Sequence, residues 1–187
     1  MKRPTVIVFA KAPRLGTVKT RLAAAIGQAA AQRLARNWLA RAWRQAQDAR
    51  WRRALALSPD AAARRAGALP QGRGDLGRRM ARALARHAPA VLVGADIPAM
   101  NRRHLQQALA ALRRADIVLG PARDGGFWLV GLRDPKLLQG LFREVRWSSP
   151  HALADTLRNL PTNRRVAFVE RLADVDRPED LRSPPAG

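Results

Sequence analysis

Cysteine is absent from all 187 residues, which removes disulfides, thiolate metal sites and cysteine nucleophiles and is compatible with a reducing cytoplasm. No apolar run approaches the ~20 residues needed to span a bilayer. Near the N-terminus the apolar core at 6–10 meets Lys11 before it is long enough for a signal peptide. The expectation is a soluble, cytoplasmic protein with no membrane span. His87, His104 and His151 lack the spacing of zinc ligands, and no Gly-x-Ser-x-Gly elbow announces a serine hydrolase. Acids are scarce, 14 Asp and Glu against 35 Lys and Arg, for a net charge of +21. Lysine itself stands only at positions 2, 11, 19 and 136, so the basicity is almost wholly arginine.

Such charge attracts phosphate-bearing small molecules, nucleic acid and acidic membranes alike. The arginines are spread along the chain with abundant alanine, however, as general Arg and Ala enrichment would place them. This pattern favours a small-molecule partner over nucleic acid. A hydrophobic fraction of 47% over this length is enough for one domain covering 1–187.

Short, continuous apolar runs at 5–10, 53–58, 90–95 and 116–121 read as strands buried on both faces. Helical patterns lie between them, at about 20–47, 75–87 and 101–114, with Asn101 as a suitable N-cap. This alternation predicts a three-layer α/β/α, Rossmann-like fold with a mostly parallel central sheet. The run at 125–132 follows the previous strand too closely for a helical crossover and predicts an antiparallel partner. A helix at 151–160, a late strand at 165–172 and a frayed tail at 182–187 complete the chain.

Ligands in such sheets sit at the carboxyl ends of strands. The first strand empties into Lys11-Ala12-Pro13-Arg14-Leu15-Gly16-Thr17-Val18-Lys19-Thr20-Arg21. Later strands end at Asp96, Asp124-Gly125-Gly126, and Asp174-Val175-Asp176. Cations on one side and carboxylates on the other suit a metal-bound diphosphate, because a metal bridges carboxylate and phosphate oxygens while Lys and Arg neutralise the rest. The loop is not a Walker A element, since Thr17 and Val18 separate Gly16 from Lys19. Gly16 still permits close backbone approach, and the helix starting near Thr20 offers its positive end. Plainer readings stand beside each of these: a solvated basic turn, Asp96 as a helix cap, Asp124 as a turn former, and Asp174 or Asp176 as an N-cap. Asp75 in "GDLG" is readable as a ligand or as a helix start.

The ordered set "FAKAPRLGTVKTRLA", "GDLGRRM", "VGADIP", "VLGPARDGGFWLVGL", "RWSS" and "DVDRPEDL" resembles the GT-A-like nucleotide-diphospho-sugar transferase superfamily, in particular a bacterial family labelled arsenosugar-biosynthesis glycosyltransferase. More distantly it is similar to molybdenum-cofactor and 2-phospho-lactate guanylyltransferases. The resemblance implies a single GT-A-like domain and a metal-dependent transferase using Mg²⁺ or Mn²⁺ with a nucleotide or nucleotide-sugar donor and a small-molecule acceptor. It places Lys11, Arg14, Gly16, Lys19, Thr20 and Arg21 in the phosphate loop and Asp96, Asp174 and Asp176 at the metal. Asp124, Gly125 and Gly126 fall on the acceptor side, with Asp124 as base and Lys19 and Arg21 stabilising phosphate charge. "GADIP" carries one acid where many GT-A glycosyltransferases carry Asp-x-Asp, which gives nucleotidyl transfer weight as the alternative. Arg177 stands where relatives typically carry Thr. Rivals of another class are a basic nucleic-acid-binding module and a nucleotide-binding pseudoenzyme.

Overall fold

In β1 (Thr5–Lys11) the residues Val6 and Val8 face one hydrophobic core and Ile7 the other, all fully buried. Successive strand side chains point to opposite faces, so a strand covered on both sides must be apolar at every position. That is why the run is continuous. The computed structural model describes residues 3–176 and 178–181; the tail expected at 182–187 and the departure at Arg177 lie outside the described residues.

The remaining elements are α1 (Thr20–Ile26), α2 (Gln28–Gln45), β2 (Arg52–Ser58), α3 (Asp60–Arg65), β3 (Leu69–Pro70), α4 (Leu76–His87), β4 (Ala90–Gly94), α5 (Arg102–Ala111), β5 (Ile117–Pro121), β6 (Phe127–Leu132), α6 (Ala152–Arg158) and β7 (Val166–Phe168). Short 3₁₀ turns occupy Pro135–Leu138 and Pro178–Leu181. The seven strands form one sheet in the order β3-β2-β1-β4-β6-β5-β7, with β6 antiparallel to both neighbours and the other pairings parallel. The expected α/β architecture and the antiparallel strand after Asp124 are both present.

One core packs Ala42 of α2 and Leu105 and Ala108 of α5 on Val6, Val91 and Val118; the other packs Met80 and Leu84 of α4 on Ile7, Leu92 and Leu119. Each large aliphatic side chain so buried contributes about 1.5–3 kcal/mol. Among the described residues no helix is long and apolar enough to cross a membrane.

Two expectations change. The helix expected over 20–47 breaks at Gly27, whose φ of 83° falls where residues with a Cβ are strained, and resumes at Gln28. In α2 the buried residues are Ala31 and Ala42, with Leu39 and Trp43 partly buried against the core. The late strand is shorter than expected: β7 ends at Phe168, and Leu172 forms only an isolated bridge to Ala122.

β1 lies between β2 and β4, so the chain moves outward from it in one direction and then in the other. A crevice opens outside the strand ends at such a switch point. Lys11 ends one of the two strands, and Asp96 follows the other.

Candidate active site

A cleft of about 1150 Å³ occupies that crevice. It is lined by Lys11, Thr20, Lys19 and Arg21 from the first loop and by the acids Asp96, Asp124, Asp174 and Asp176. Residues separated by more than 150 positions meet here because each follows a strand end. The 173–176 segment is drawn in by the Leu172 amide, which donates to Pro121 O at 3.2 Å, and by the Val175 amide, which donates to Asp96 O at 3.1 Å.

Lys19 is the hub. Its ammonium donates to Asp96 Oδ2 at 2.6 Å and lies 3.5 Å from Asp176 Oδ1, while Arg21 Nη1 donates to Asp176 Oδ2 at 3.0 Å. The Lys19 side chain is 12% exposed, whereas Asp96 and Asp176 are 40% and 37% exposed and open to the cleft. Its backbone has φ 49° and ψ 47°, a conformation strained for a residue with a Cβ, at the cap position of α1. The Trp38 ring lies 5.9 Å from the ammonium and walls it on the α2 side. Buried Val18 anchors the loop, and Gln32 Nε2 holds Pro13 O at 3.1 Å.

Asp174 has the opposite problem. Burial, with Asp124 and Asp96 nearby, pushes its carboxyl up from 3.8 to about 6, and Lys19 relieves this only in part. An all-oxygen set of carboxylates, with the charged form of Asp174 disfavoured, fits a hard divalent cation such as Mg²⁺ or Mn²⁺. Among the described residues no group of three or more His, Asp or Glu side chains stands close enough to hold a metal as arranged. The cation between Asp96 and Asp176 is the Lys19 ammonium.

Other expected site residues sit elsewhere. Asp75 does not line the cleft: it is the N-cap of α4 and accepts from the Arg78 amide at 2.8 Å. A helix start has four amides to satisfy, and a carboxylate there is occupied locally. Arg14 is exposed and outside the cleft, and Gly16, with φ 70°, lines a small side pocket together with Thr20. Gly125 packs against Pro150 rather than facing the cleft, and Asp124 Oδ1 accepts from the Gly126 amide at 2.9 Å, so Asp124 also forms the turn. Asp96 does not cap α5; Asn101 does, in a capping box with His104.

Sequence reasoning missed several cleft residues. Gln71, 2% exposed, donates through Nε2 to Ala10 O and Ala56 O at 2.8 and 3.0 Å and accepts from Arg79 Nη1 at 3.0 Å. It stitches the ends of β1 and β2 to α4. The signal was weak, since β3 before it is only Leu69–Pro70. Trp147 also lines the cleft, and its motif "RWSS" was the available cue.

A family model described as "Uncharacterized protein conserved in bacteria (DUF2064)" matches residues 22–149. Among curated proteins, the chain is 38% identical over 93 residues to the 2-phospho-L-lactate guanylyltransferase of Methanopyrus kandleri, covering 48% of this chain and 46% of that protein. The match thus spans less than half of that relative. Among solved structures, a candidate nucleotide-diphospho-sugar transferase from Desulfovibrio desulfuricans G20 superposes with TM-score 0.80 at 26% identity, over 95% of this chain and 84% of that one. A Mycobacterium tuberculosis H37Rv protein solved in complex with manganese superposes with TM-score 0.55 at 19% identity, over 97% of each chain. That second likeness carries the fold alone. The architecture is that of nucleotide-diphospho-sugar transferases and nucleotidyltransferases.

Proposed function

The chain belongs to the DUF2064 family, and from that premise we propose that the cleft is the active site of a metal-dependent transferase that takes a nucleotide-activated sugar as donor. The observation that carries this reading is the Lys19 ammonium held between Asp96 and Asp176, with Arg21 on the same carboxylate. A lysine so placed brings positive charge to the carboxylates that line the cleft.

Asp96 and Asp176, with Asp174 beside them, would hold Mg²⁺ or Mn²⁺; manganese in the structurally similar mycobacterial protein agrees with this choice. The ion would neutralise phosphate oxygens as negative charge gathers on the leaving diphosphate. Lys19 and Arg21 supply further positive charge there, and Lys11 extends it along the cleft. Asp124, its Oδ1 oriented by the Gly126 amide, takes the proton of the acceptor hydroxyl. The acceptor oxygen forms a bond to the sugar's anomeric carbon, the bond from that carbon to the diphosphate breaks, and nucleoside diphosphate departs.

Nucleotidyl transfer is the second reading, favoured by the similarity to the guanylyltransferase and by the single acid after β4. An acceptor oxygen would attack the α-phosphorus, and the bond to the β-phosphate oxygen would break to release pyrophosphate. Incubating the protein and Mn²⁺ with nucleotide sugars in one arm and nucleoside triphosphates in the other separates the two. Nucleoside diphosphate formed from a nucleotide sugar supports the first reading; pyrophosphate released with no sugar transfer refutes it.

A further inference from the structure

The cleft is chemically two-ended. Lys11, Lys19 and Arg21 line it from β1 and the loop after it, while Phe127, Trp147, Ser148 and Ser149 line it from β6 and the loop before α6. Its 1150 Å³ exceeds the ~300–1,000 Å³ typical of a pocket for one ligand, which leaves room for two reactants. The cationic end suits the phosphates of the donor.

The aromatic end is closely packed. Trp147 packs edge-on to Phe127 and Phe142, with ring centroids 6.1 and 5.8 Å away. It also lies flush against α4: a Cβ on Gly77 would come 2.8 Å from Trp147 Cζ2 and 2.7 Å from Phe142 Cβ. The second glycine of "GDLG" therefore makes space for the indole, a role distinct from binding phosphate. Ser148, directly after it, has φ 57°, and of the three non-glycine residues with positive φ among the described residues, it and Lys19 both line the cleft. The Asp124–Gly126 turn is tied to the segment that follows, since the Leu153 amide donates to Gly125 O at 3.0 Å. Trp147 is nonetheless only half-buried, so part of this fixed ring faces the cleft.

We propose that Phe127 and Trp147 form the acceptor subsite, that it takes a neutral, hydroxyl-bearing ring whose apolar face lies on the Trp147 indole, and that Gly77 is the positioning residue for that indole. This rests on the transferase reading above. An aromatic surface flanked by the Ser148 hydroxyl and the Asp124 carboxylate offers stacking and hydrogen bonds, which suits a neutral, hydroxyl-bearing ring. Stacked there, an acceptor hydroxyl lies on the Asp124 side of the cleft, which is what the proton transfer requires.

The test uses the whole protein with Mn²⁺ and either GDP or UDP, and probes the subsite with neutral methyl pyranosides by saturation-transfer NMR. Ring protons of the pyranosides should receive saturation in the wild type. Trp147→Ala and Gly77→Ala should each weaken pyranoside binding by about tenfold, the loss of one aromatic contact, with nucleotide affinity unchanged. Trp147→Phe should retain most of the binding, and Phe127→Leu, which keeps the bulk, gives an independent check if Trp147→Ala fails to fold. Nucleotide binding with no transfer to any pyranoside overturns the acceptor proposal while leaving the transferase reading standing. Equal loss of nucleotide in Trp147→Ala means the indole holds the donor base, which also overturns it. Binding of neither probe refutes the transferase reading and this proposal together.

Discussion

Two clusters in this molecule are made of the same parts, aspartate and a basic side chain, and behave in opposite ways. Asp155 on α6 is 3% exposed and receives Arg146 through Nε at 2.9 Å and Nη2 at 2.8 Å, the Arg146 amide at 3.1 Å, and Arg158 at 3.3 Å. Arg146 holds that carboxyl well below the usual carboxylate range. In the cleft, Lys19 serves two acids at once and Asp174 is pushed up to about 6. Asp155 is surrounded by donors, whereas burial and two neighbouring carboxylates disfavour the ionised form of Asp174. Charge satisfied locally is structural; charge left unmet in an open cleft is available to a ligand.

The comparison breaks most sharply at the acids themselves. Asp96→Asn should reduce turnover by about a hundredfold or more, the usual scale for losing a key electrostatic group, with little change in Tm. Asp155→Asn should do the reverse, lowering Tm by several degrees while nucleotide binding in the cleft stays intact, because it weakens the charge-assisted bonds that Arg146 and Arg158 make to this buried position. Steady-state kinetics and thermal melts on both variants distinguish these outcomes.

Lys19→Ala comes next. Turnover should fall by about ten- to a hundredfold, yet Mn²⁺ should bind the nucleotide-free protein more tightly, because the ammonium competing for Asp96 and Asp176 is gone. Unchanged or weaker Mn²⁺ binding by calorimetry would remove Lys19 from that position.

The two clusters should also respond oppositely to pH. Asp174's folded value, about 6, stands above its ordinary 3.8, so its contribution to stability is present below 3.8 and lost as pH rises through about 6. Asp155's folded value stands below 3.8, so its contribution is full above 3.8 and lost on acidification. Melts in EDTA should show the Tm of Asp174→Asn gaining on wild type between about pH 4 and pH 6. The smallest effect belongs to Asp75→Ala, which should cost about 1 kcal/mol as a lost helix cap and leave nucleotide binding unchanged.

The strand-end acids were legible because apolar runs closely followed by Asp are a local signal, and β4 and β5 follow that pattern. Asp75 was singled out on its flanking glycines alone and is a cap, because Asp after Gly describes both a ligand turn and a helix start. The break at Gly27 was hidden by Ala-rich sequence on both sides that favours helix throughout. Trp147 and Gln71 could not be placed, since their positions depend on packing between α4, β1, β2 and a loop more than 60 residues away. Pairing of Lys19 with Asp96 was likewise beyond the sequence: convergence was legible, but which cation meets which acid is a matter of side-chain geometry.

The most direct measurement is calorimetric binding of GDP and UDP with Mn²⁺ and with EDTA, in the wild type and in Asp96→Asn. The account predicts that Mn²⁺ tightens nucleotide binding by at least about tenfold in the wild type and has no effect in Asp96→Asn, while the metal-free affinity survives. Equal nucleotide affinity in Mn²⁺ and EDTA, or a metal effect that persists in Asp96→Asn, would contradict it.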